Sequence, residues 1–105
     1  MDKSAAIKIA KGYVELIRQK YQIENVILFG SYAKGNNNDD SDIDLAIIFK
    51  SVDDIIEMQI ELMQMRSDDD LMIEPHPFSL STFEESDPIV TEILKSGIEL
   101  KKVAG

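Results

Sequence analysis

Two short apolar runs, each tied to a polar signature, dominate this chain. Val26-Ile27-Leu28-Phe29 runs into Gly30-Ser31, and after ten residues Asp42-Ile43-Asp44 opens a second run, Leu45-Ala46-Ile47-Ile48-Phe49. Side chains alternate faces along a strand, so Asp42 and Asp44 point one way while Ile43 points into a core. Two carboxylates on one sheet face repel each other unless a cation sits between them. A glycine followed by serine at a strand end lets backbone N–H groups approach a phosphate. A phosphate cradle beside a metal-binding pair is the equipment for phosphoryl or nucleotidyl transfer.

Around this centre the periodicity predicts a helix over 4–21, with Ile7, Ala10, Ile17 and Tyr21 at helical spacing and Gly12 as a site of close helix contact. A strand is expected over 25–29, a helical turn over 31–34, a polar loop over 35–40 and a central, buried strand over 43–49. A second helix is expected over 52–65, with Ser51 as N-cap and Asp53 and Asp54 in its first turn. Its apolar residues form two stripes: Val52, Ile56, Ile60 and Met63, and Ile55, Met58, Leu62 and Met65. So wide an apolar sector means either a well-buried helix or a methionine-rich stripe facing a partner. A third strand is expected over 71–74, ended by Pro75-His76-Pro77. Asp87-Pro88 opens a last helix as N-cap and N1, Gly97 is its C′ stop, and 98–100 form a final short strand. The pattern implies one small α/β (α+β) domain over 1–105, a mixed sheet of three to four strands backed by helices, with the site at one sheet edge.

Composition excludes several classes. The 105 residues contain no cysteine, which rules out disulfides and thiolate metal sites. No apolar run approaches a membrane span, and the N-terminus has no signal-peptide core, so the expected setting is cytoplasmic. Eleven basic residues stand against 20 acidic ones, a net charge of −9, without a basic cluster. This weighs against a grip on long nucleic acid. The acidity keeps a small protein soluble and would also suit a basic protein partner.

Nucleotidyl transfer concentrates charge on an α-phosphate, and two Mg²⁺ ions can activate the attacking oxygen and stabilise the leaving one. Asp42 and Asp44 can bridge such a pair. Gly30 and Ser31 are the candidate phosphate contacts, and Lys34 and Ser41 the further candidate nucleotide-binding residues for a nucleoside triphosphate. A third carboxylate is wanted to complete the metal site and accept a proton. Glu74 is the candidate and Asp70 its rival. The lone histidine, His76, is expected to be structural or at the surface, and Tyr32 to pack. An EF-hand reading of Asp39–Asp42 fails for want of a glycine at the sixth loop position.

Gly-Ser-Tyr-Ala-Lys-Gly and Ser-Asp-Ile-Asp-Leu resemble the minimal nucleotidyltransferase family, a compact branch of the superfamily that holds DNA polymerase β and kanamycin nucleotidyltransferase. Gly30, Ser31, Asp42 and Asp44 match the family pattern residue by residue, and Glu74 sits where a third acid is expected. The resemblance implies a polymerase β-like nucleotidyltransferase fold, two Mg²⁺ ions held by Asp42, Asp44 and Glu74, and AMP transfer from ATP onto a hydroxyl of a protein. It further implies an antitoxin paired with a helical HEPN-domain protein, as a homo- or hetero-oligomer. The alternative is a module that neutralises its partner by contact alone. A transferase for small molecules such as an aminoglycoside is disfavoured by the short chain.

Overall fold

The computed structural model describes residues 1–100. In chain order the elements are α1 (Lys3–Ile17), β1 (Asn25–Phe29), α2 (Ser31–Lys34), β2 (Ile43–Phe49), α3 (Ile55–Gln64), β3 (Ile73–Ser79), α4 (Pro88–Ser96) and β4 (Ile98–Glu99). Single 3-10 turns lie at Asp68–Asp70 and Leu80–Thr82. None of the described helices is long and apolar enough to cross a membrane.

The sheet is mixed, in the order β3-β2-β1-β4. β1 runs antiparallel to both β2 and β4, and β2 runs parallel to β3. A parallel neighbour requires a crossover, and α3 occupies that connection. Strand alternation then sorts the core. Val26, Leu28, Ile43, Leu45, Ile47 and Ile73 face α1 and Leu62 of α3. Ile27, Phe29, Ala46 and Ile48 face the opposite way, against Ile93 of α4.

α1 follows from its pattern: Ala6, Ala10, Tyr13, Val14 and Ile17 are buried at helical spacing, and Asp2 caps the helix by accepting from Ala5 N at 2.8 Å. It stops at Ile17 rather than Tyr21. The expected close contact at Gly12 is absent, since a Cβ there would meet no atom within 4 Å.

α3 is shorter than its apolar pattern suggests. Asp54, not Ser51, is the N-cap and accepts from Glu57 N at 3.0 Å. Only Leu62 is fully buried, with Met58 and Met65 packed beside it. Ile56, Ile60 and Met63 of one stripe are exposed, Ile56 by 71%, while Val52 of the same stripe packs on the core and Ile55 of the other is exposed. The well-buried reading of this helix therefore fails. The buried Tyr13 hydroxyl donates to Leu62 O at 2.6 Å and ties α3 to α1.

β3 departs most from expectation, because it runs straight through Pro75 and Pro77 instead of ending at them. Met72 O accepts from Ile43 N of β2, so even-numbered backbone groups along this segment face β2. Odd-numbered groups face outward, where Ile73 O accepts from Arg66 and Pro75 O from Gln59. Both prolines thus lack an N–H only on the outer side of an edge strand, where the ladder needs none.

α4 starts as expected, with Asp87 accepting from Ile89 N at 3.1 Å and Pro88 at N1. Gly97 has an extended backbone, φ −72° and ψ 155°, rather than a left-handed one. Glycine is needed there for space: a Cβ would collide with Ile93 O and the Ile27 side chain.

Candidate active site

The site assembles on the α4-facing side of the sheet, across β1, β2 and β3. It therefore spans the central strand as well as an edge. β1 delivers Phe29 opposite Asp44 of β2, and Asp44 in turn lies opposite Glu74 of β3. Two residues further along, His76 lies opposite Ala46, whose small side chain leaves room for the imidazole to lean toward Asp44. His76 Nε2 is 3.2 Å from Asp44 Oδ1 and 4.0 Å from Glu74 Oε1. Its ring stands edge-on to Phe29, with centroids 5.1 Å apart.

Asp42 precedes β2, is exposed, and lies near enough to the Glu74 carboxyl to affect its ionisation. Partial burial pushes the Glu74 carboxyl above its usual range; His76 opposes that shift, while Asp44 and Asp42 add to it. Gly30 closes the arrangement. Its φ of 77° is open to glycine but costly for other residues, and a Cβ there would press into the Asp44 carboxylate, with Cγ at 3.2 Å. Ser31 follows as the first residue of α2.

The structure thus brings Asp44 and Glu74 together, with Asp42 near Glu74 and Gly30 against Asp44. The other sequence candidates lie apart. Lys34 ion-pairs with Glu92 of α4. Ser41 accepts from Asn38 N at 2.9 Å and staples its own loop. Asp70 is buried in the 68–70 turn, accepts from Ser67 Oγ at 2.9 Å and packs toward α1. Tyr32 packs, fully buried. His76 was missed because Pro75-His76-Pro77 read as a strand end. Extending the strand by parity would have put it on the face of Glu74.

A divalent cation fits this donor set. Single ligand atoms of Asp44, Glu74 and His76 all lie within 4.8 Å of one another. Carboxylates gathered this closely are unfavourable without positive charge, and oxygen donors suit hard cations.

The family described as polymerase beta, nucleotidyltransferase matches residues 12–103. A curated relative from Methanocaldococcus jannaschii, named "putative protein adenylyltransferase", is 36% identical over 42 residues, 40% of this chain and 42% of that protein. The match therefore spans less than half the length of that relative. Among solved structures, a "putative nucleotidyltransferase" from Sulfolobus solfataricus has a TM-score of 0.72 at 22% identity, covering 96% of this chain and 84% of that one. A toxin–antitoxin crystallised with AMP-PNP has a TM-score of 0.62 at 21% identity, covering 89% of this chain and 73% of that one. At these identities the structures speak to the fold, and the fold is that of a nucleotidyltransferase. With nearly its whole length matched, this chain belongs to the polymerase beta nucleotidyltransferase family.

Proposed function

We propose that the protein is a Mg²⁺-dependent nucleotidyltransferase that moves AMP from ATP onto a hydroxyl of a protein partner, the HEPN-type toxin of a toxin–antitoxin pair. The observation that carries this is Asp44 facing Glu74, with Asp42 near Glu74, beside a glycine that has no room for a side chain. The names of the adenylyltransferase relatives and of the toxin–antitoxin neighbour support the choice of nucleotide and partner.

In this reading the acceptor oxygen bonds to the α-phosphorus, the bond to the β-phosphate oxygen breaks, and pyrophosphate leaves. Two Mg²⁺ ions held by Asp42, Asp44 and Glu74 would supply charge neutralisation at the phosphates. Glu74, facing Asp44 across the strand pair, is the group proposed to take the acceptor's proton at a carboxylate oxygen. Gly30 admits the triphosphate, Ser31 offers its hydroxyl and N–H, and Lys34 reaches the phosphates after leaving Glu92. Ser41 holds the loop that leads into Asp42. The proposed setting is the cytoplasm, without long nucleic acid as substrate.

The exposed Ile56, Ile60 and Met63 of α3 favour a second reading, in which the protein neutralises its partner by contact alone. One experiment separates the two. The protein is incubated with Mg²⁺, α-labelled ATP and the product of the neighbouring reading frame, beside an Asp42→Asn/Asp44→Asn variant. Label on the partner with wild type only supports transfer. No label on an assembled complex, with neutralisation intact in the variant, supports contact alone.

A further inference from the structure

We infer that His76 is a metal ligand, joining Asp44 and Glu74 in a nitrogen-containing centre that prefers Mn²⁺-class ions over Mg²⁺. The inference rests on the divalent-metal part of the proposed function but concerns which ion is taken. Three observations on β3 carry it.

The first is distance. A six-coordinate ion with bonds of about 2.1 Å places adjacent ligand atoms about 3 Å apart and opposite ones about 4 Å apart. His76 Nε2 lies 3.2 Å from Asp44 Oδ1 and 4.0 Å from Glu74 Oε1, and the three donors fall within one 4.8 Å cluster.

The second is how the ring is held. Phe29 meets its edge at 62°, Ala46 opposite leaves space for it, and Pro75 and Pro77 on either side fix the backbone φ. The imidazole is half-buried and aimed at the carboxylates, not at solvent. This orientation would be wasteful for a histidine that only filled space, since a buried apolar residue could do the same.

The third is donor chemistry. Mg²⁺ favours an all-oxygen shell, whereas imidazole nitrogen raises affinity for first-row transition ions. With one nitrogen among oxygen donors, the centre leans toward Mn²⁺ without excluding Mg²⁺.

The test uses Mn²⁺ alone, with no nucleotide and no partner, at one fixed pH. Electron spin-echo measurements on the wild-type protein are expected to show nitrogen hyperfine modulation on bound Mn²⁺. That modulation should vanish in His76→Ala and His76→Gln. Mn²⁺ affinity should fall at least about 10-fold in both variants, since losing a ligand costs no less than losing its outer-shell support, while Mg²⁺ affinity changes by less than about threefold. Thermal melts of both variants confirm that they fold, and the glutamine, which keeps a polar contact to Asp44, guards against collapse of the alanine variant. The inference is overturned if wild type shows no nitrogen coupling or binds no Mn²⁺, if His76→Gln keeps the Mn²⁺ preference, or if both ions weaken equally. Label transfer with Mg²⁺ is read separately. Absence of nitrogen coupling in the wild-type protein with transfer intact overturns this inference alone, and coupling without transfer overturns only the proposed activity.

Discussion

Asp44 and Glu74 are register partners across a parallel strand pair, although a whole helical crossover separates them in the chain. Like charges placed directly opposite destabilise a sheet, and here both belong to one carboxylate cluster. The fold carries that repulsion at the point where the proposed chemistry needs negative charge.

The pH dependence of stability should reveal it. An unfolded glutamate titrates near 4.5, and the Glu74 carboxyl is raised in the folded protein, mainly by burial. A raised acid contributes its full stability below the unfolded value and loses it as pH rises through the folded one. In metal-free buffer, Glu74→Gln should therefore melt a few degrees above wild type at pH 7 to 8. The gap should close below about pH 4. Label transfer should be lost in the same variant. A lower melting temperature for Glu74→Gln at neutral pH would contradict this account.

Gly30→Ala combines two penalties, an L-residue at φ 77° and a Cβ pressed into the Asp44 carboxylate. Melting should fall by about 5–10 °C. Transfer should drop at least about 100-fold, because displacing Asp44 misplaces the reacting groups. Calorimetry with the labelling assay checks both.

The two faces of α3 should respond oppositely. Leu62→Ala, at a fully buried position, should cost about 2–5 kcal/mol in urea titration. Ile56→Ser and Ile60→Ser should stay within about 0.5 kcal/mol of wild type, as substitutions at exposed sites do. If those two prove strongly destabilising, the stripe is not free in solution.

Lys34 has a competing partner in Glu92. An exposed ion pair of this kind is worth about 0–1 kcal/mol, so Glu92→Gln should leave stability nearly unchanged. It should tighten binding of a non-hydrolysable ATP analogue a few-fold, and Lys34→Gln should weaken it. Titration calorimetry on both variants reads the outcome, and identical affinities would remove Lys34 from the nucleotide site.

The strands around Gly30 and Asp42-Ile43-Asp44 were legible because alternation and an apolar run mark a buried strand without tertiary information. The caps at Asp87 and Pro88 were legible for the same local reason. β3 was not, since proline removes a donor and reads as a break, while its harmlessness depends on which side of the strand faces outward. His76 was lost with it. Which stripe of α3 faces the core was likewise undecidable, because both are equally apolar and packing against α1 and the sheet, not spacing, selects Leu62. Lys34 shows the same limit, as its partner Glu92 is chosen by folding and not by spacing.

The outer rim of β3 has a consequence for assembly. Pro75 and Pro77 present no donors there, and the carbonyls of Ile73 and Pro75 are already taken by Arg66 and Gln59. A strand from another molecule arriving at this rim would find few backbone groups to pair with. Recruitment by adding a strand to β3 is thereby closed off, which leaves side-chain surfaces such as the bare stripe of α3 for any neighbour that approaches from this side.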